Sequence, residues 1–80
     1  MPRCKYIMID EHTPVLFPEH LTHVDMASKL LDLGEVTSAG FVQVYNIEDG
    51  FPKIEVYGGS ESLKLNSNPK DSRWIMKMFE

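Results

Sequence analysis

The clearest alternation of apolar and polar positions falls in residues 35–59. Val42 and Val44 alternate with Phe41, Gln43 and Tyr45, and Ile54 and Val56 alternate with Lys53, Glu55 and Tyr57. A period of two sends the members of each set to one face of a pleated strand. Between the two runs, residues 46–52 contain Asp49-Gly50, a pair that tolerates positive φ where a chain reverses. The pattern predicts a β-hairpin with an aliphatic face (Val42, Val44, Ile54, Val56) and a mixed face in which Phe41, Tyr45 and Tyr57 stand among Gln43, Lys53 and Glu55. Thr37-Ser38-Ala39-Gly40 interrupts the alternation. Gly40 therefore predicts a bulge or a close backbone approach, with the regular hairpin starting at Phe41.

The rest of the chain supplies partners for this ribbon. Residues 3–9 predict a first strand, with Ile7 and Ile9 on one side and Cys4, Tyr6 and Met8 on the other. A polar turn follows, then Val15-Leu16-Phe17 between Pro14 and Pro18, short enough to be only an edge strand or an extended segment returning antiparallel to the first. Met26, Ala27, Leu30 and Leu31 recur at helical spacing, Thr22 or Asp25 can cap, and Gly34 can close the C-terminus; a helix over residues 24–33 is predicted, its Met/Leu stripe lying on the Val/Ile face of the hairpin.

Further on, residues 58–61 form a turn and residues 62–65 a short strand. Asn68 and Pro69 then give a cap and a first helical position for a helix over residues 69–79. Its apolar side holds Trp74, Ile75, Met78 and Phe79, and Lys70, Arg73 and Lys77 take the opposite side. Two places are open for that apolar side: the sheet face under the first helix, or a face carrying Tyr6, Met8, Phe41, Tyr45 and Tyr57. The expected fold class is α+β, a small antiparallel sheet of about four or five strands with two helices, forming a single domain over residues 1–80.

Composition bounds the class. Eighty residues, 42% hydrophobic and 25% charged, suit one globular core, and a thin one, in which an uncovered sheet face is a large fraction of the whole. The single Cys4 allows no intrachain disulfide and suggests a reducing compartment. The apolar run at residues 6–9 is too short for a signal-peptide core or a membrane span, so a cytosolic setting without membrane contact is expected. The net charge is −4, with acidic side chains in excess up to Gly50, a field that does not favour nucleic acid.

Candidate chemistry is sparse. His12, His20 and His23 lie near Glu11, Glu19 and Asp25, but the His-Glu-x-x-His spacing is absent, and surface turn and cap histidines are expected rather than a metal site. No Gly-x-Ser-x-Gly turn occurs, Cys4 sits in an alternating strand, and the acid pairs Asp10-Glu11 and Glu48-Asp49 fall in turns. The Gly58-Gly59-Ser60 segment lacks the lysine of a phosphate loop. No catalytic residue and no cofactor are expected.

The aromatic sheet face is the better candidate. Tyr6, Phe41, Gln43, Tyr45, Lys53, Glu55 and Tyr57 have the composition of a protein-binding surface, for a protein partner or a homodimer. Against this stands burial of the same rings under Trp74 and Phe79. The alternative site is the basic face Lys70, Arg73 and Lys77, as a nucleic-acid contact.

The segments PVLFPEHLTH, TSAGFV and GGSESLKL resemble stretches that recur in small uncharacterised proteins of bacteria and their temperate phages. The resemblance spans residues 6–71 and holds no catalytic signature. It implies a host-cytoplasmic setting and an accessory or inhibitor protein acting by contact, and it assigns no site residue.

Overall fold

The computed structural model describes residues 3–45 and 53–78. The predicted Asp49-Gly50 reversal lies outside the described residues. The described chain runs β1 (Cys4–Ile9), β2 (Thr13–Phe17), α1 (His23–Lys29), a 3₁₀ turn (Leu31–Leu33), β3 (Val36–Tyr45), β4 (Lys53–Tyr57), β5 (Gly59–Ser60), β6 (Leu65–Asn66) and α2 (Asp71–Lys77). The fold is α+β, with a four-stranded antiparallel sheet in the order β2-β1-β3-β4 and a separate β5-β6 pair. Among the described residues, no helix is long and apolar enough to cross a membrane.

β3 is longer than the alternation suggested. It pairs with β1 from Val36 to Val42 and with β4 from Phe41 to Tyr45, so regular pairing begins well before Phe41. The bulge falls at Thr37, because Met8 pairs with Ser38 while Ile9 pairs with Val36. Thr37 stabilises it: its hydroxyl donates to the Met8 carbonyl (3.3 Å) and accepts from the Glu11 amide (3.0 Å). Gly40 is instead the close approach, since a Cβ there would sit 2.7 Å from the Tyr57 carbonyl oxygen.

Register decides which residues share a face. Cys4 opposes Val42 and Tyr6 opposes Gly40, so Tyr6 and Met8 lie with Val42, Val44 and Ile54, not with Phe41 and Tyr45. This first face is sealed by Ile75 of α2, with Met76 alongside. Ile7, Ile9, Phe17 and Ala39 form the opposite face, covered by Ala27 with Met26 and Leu30 around α1, and by Leu63 and Leu65 of the β5-β6 segment.

The first helix therefore does not lie on the Val/Ile face, and the two helices occupy opposite faces. The physical reason is that β1 is apolar on both sides, from Tyr6 through Ile9, and each side needs its own cover. Full burial of Ile75 stabilises by about 1.5–3 kcal/mol, which fixes α2 in place.

Both helices are shorter than their predicted spans. Thr22 caps α1 by accepting from the Asp25 amide (3.1 Å), and beyond Lys29 the chain tightens into the 3₁₀ turn that Gly34 ends at φ 143. Asn68 accepts from the Lys70 amide (3.0 Å) as a cap should, but the turn from Asn68 to Arg73 is closed by i to i+3 bonds, so α2 proper begins at Asp71. The short strand foreseen over residues 62–65 is shifted: residues 61–64 form a turn and β6 is Leu65–Asn66.

Candidate protein-binding face

Three directly opposed pairs make up the mixed face of the β3-β4 ribbon: Phe41 with Tyr57, Gln43 with Glu55, and Tyr45 with Lys53. Four residues of β-rise set their length at about 14 Å. Exposure rises along the row. Phe41 and Tyr57 are half-buried and stacked, their rings 5.7 Å apart and 20° from parallel, while Tyr45 is 45% exposed and Lys53 and Glu55 are exposed.

The covered end of the row is built by α1. His23 is buried, and its Nε2 lies 2.9 Å from the Gly40 carbonyl, a contact in which that nitrogen must carry the proton and donate. Its ring meets Phe17 and Phe41 edge-on. Arg3 completes this end: its guanidinium lies 5.1 Å over the Phe41 ring, donates to the Tyr57 hydroxyl (3.4 Å), and pairs with Glu19. Sequence reasoning missed Arg3 and His23 here, because both reach the ring stack from segments distant in the chain. A histidine beside Thr22 at a helix start gave the only local signal.

Among the described residues, the cover stops toward Tyr45. β4 is an edge strand whose principal contacts among the described residues are with β3 and, on the other face, with α2. Of the residues expected in the binding face, six come together here: Phe41, Gln43, Tyr45, Lys53, Glu55 and Tyr57. Tyr6 does not join them. It is fully buried on the opposite face, because its register partners are Gly40 and Leu16. Trp74 also lies on the far side of the sheet from these rings, beside His12 at 5.9 Å between ring centres.

Tyr6 belongs to a different cluster, which anchors α2. Its hydroxyl donates to Asp71 Oδ2 (2.6 Å), as does the Ser38 hydroxyl (2.6 Å), with the Asn68 amide at 3.3 Å. Asp71 is 4% exposed. Burial, then the hydrogen bond to Asp71 and its charge, push the Tyr6 phenol well above its ordinary range, so it stays protonated. A cleft of about 230 Å³ opens beside this cluster, with Glu11, Lys70 and Trp74 in its walls.

The other candidates disperse. Arg73 and Lys77 are exposed on α2 and Lys70 is exposed just before it, and the Lys77 ammonium sits 4.5 Å over the Trp74 ring. His12 and His20 are exposed, whereas His23 is in the interior rather than at the surface as expected. Among the described residues, no three His, Cys, Asp or Glu side chains gather as metal ligands. Burial raises the Cys4 thiol above its ordinary value, with Glu19 adding to the shift.

No family model, no curated protein and no solved structure matches the chain.

Proposed function

We propose that this chain is a small non-enzymatic protein-interaction module, acting by direct contact in the cytoplasm as an accessory or inhibitor protein of a phage or other mobile element. One observation carries the contact reading. The sheet face under α2 is sealed, whereas among the described residues the cover of the opposite face reaches only to Phe41, so Tyr45, Lys53 and Glu55 stand exposed beyond a stacked aromatic pair. Rings at both ends of the row with charged and amide groups between and beside them supply the residue types found in interface anchors and rims. Tyr45 and Tyr57 are the anchors, and Lys53, Glu55 and Gln43 provide the polar rim.

The test compares the wild type with Tyr45→Ala/Tyr57→Ala as bait for proteins of a bacterial host. The expected result is a partner held by the wild type and lost by the variant while the far-UV circular dichroism is unchanged. Equal capture by both proteins, or no specific capture by the wild type, would remove the reading.

A further inference from the structure

The two edges of the sheet are not equivalent. β2 carries Pro14 within its five residues and is followed by Pro18, so its outer side lacks a donor and cannot extend the ladder regularly. β4, Lys53–Tyr57, contains no proline, and β3 pairs with one side of it only. Its outer backbone groups are a template for another strand.

Which strand fits is settled by the charges. We infer that the occupant is β4 of a second copy of this chain, paired antiparallel about a two-fold axis at Ile54. Residues opposite one another across an antiparallel pair share a face. With the axis at Ile54, Lys53 of each chain lies opposite Glu55 of the other, twice over, and Ile54 meets Ile54. With the axis at Glu55, the two Glu55 carboxylates face each other a few ångströms apart, which is unfavourable. With the axis at Val56, Lys53 falls beyond the partner's β4 and loses its carboxylate.

Lys53 and Glu55 are both exposed and flank the apolar Ile54, so the alternation that serves the intrachain ribbon also selects one self-complementary register. An isologous contact of this kind closes as a dimer in which residues 53–55 of each β4 edge face the other chain's β4. The two four-stranded sheets become one, and the two aromatic rows lie side by side on the same face.

This inference does not depend on what the aromatic row binds. It is tested by sedimentation equilibrium from about 10 μM to about 1 mM on the wild type, Lys53→Glu, Glu55→Lys and the double swap. The wild type is expected to move from monomer to dimer over this range. Each single reversal places like charges opposite one another at two positions and should weaken the dimer about tenfold or more; the double swap recreates both opposite-charge pairs and should restore it. Circular dichroism of each variant verifies that the exposed changes leave the fold intact. A wild type that stays monomeric throughout, or a double swap no better than the single reversals, overturns the edge pairing. Tyr45→Ala/Tyr57→Ala should still dimerise; a dimer lost in that variant and kept in the charge reversals would place the seam on the rings instead, against this inference.

Discussion

Removing the Asp71 carboxylate should be among the most damaging single changes in the chain. Asp71→Ala leaves the buried Tyr6 hydroxyl and the buried Ser38 hydroxyl without their acceptor, and leaves the Asn68 amide, which positions the turn into α2, with only its 3.4 Å bond to the Tyr6 hydroxyl among these contacts. Each orphaned buried polar group costs about 1–3 kcal/mol. The neighbouring cleft of about 230 Å³ has room for water, which softens the loss for Ser38 and Asn68 but not for the fully buried Tyr6. A net cost of about 3 kcal/mol results, a large part of the roughly 4–12 kcal/mol that a chain of this length commands.

Urea unfolding followed by circular dichroism measures it. With a slope of about 1–1.5 kcal/mol/M, the midpoint should fall by about 2–3 M. Tyr6→Phe alone should cost less, since Asp71 keeps two donors. The two changes together should fall short of the sum of the single losses by about 1 kcal/mol or more. A loss below about 1 kcal/mol for Asp71→Ala, or strict additivity with Tyr6→Phe, would falsify the claim that this carboxylate ties α2 to β1 and β3.

Other outcomes follow from the same geometry. The Tyr6 phenol is held protonated in the fold, so its contribution is complete below the unfolded value near 10 and is lost as pH rises above it, at about 1.4 kcal/mol per pH unit; Tyr6→Phe should abolish that share of the alkaline decline, and identical pH profiles would count against it. Gly34→Ala should lower the melting temperature by several degrees, since a Cβ there would run into the Asp10 side chain at φ 143; an unchanged melting temperature would show that the turn relaxes freely. Labelled duplex and single-stranded DNA at low salt should show no saturable binding, whereas a curve that weakens linearly with log salt and flattens on Arg73→Glu would assign the basic face of α2 to phosphates.

The hairpin was legible because Val42, Val44, Ile54 and Val56 alternate without interruption, and the mixed face was legible with it. The distribution of cover was not. Tyr6 and Met8 look like companions of Phe41 and Tyr45 by chemical type, but a strand's face is fixed by parity against its neighbour, and the bulge at Thr37 is not visible in a run of small residues. The Asp71 cluster joins positions 65 residues apart, and locally Asp71 looks only like a favourable charge at a helix start. The clue available beforehand was Tyr6 itself, since a tyrosine in so apolar a strand needs a partner for its hydroxyl. Arg3 was out of reach for a similar reason: its contacts with Phe41 and Tyr57 cross the sheet.

The account rests on one sheet face being sealed and the other left open by the described residues beyond Phe41. Tyrosine nitration of the dilute native protein, resolved residue by residue by mass spectrometry, tests this most directly, because the three tyrosines sample the range from 0% to 45% exposure. Tyr45 should react first, Tyr57 more slowly beneath Arg3 and against Phe41, and Tyr6 only on unfolding. Protection of Tyr45 equal to that of Tyr6 would mean that the face is already closed within the chain, and the proposed contact surface would not exist.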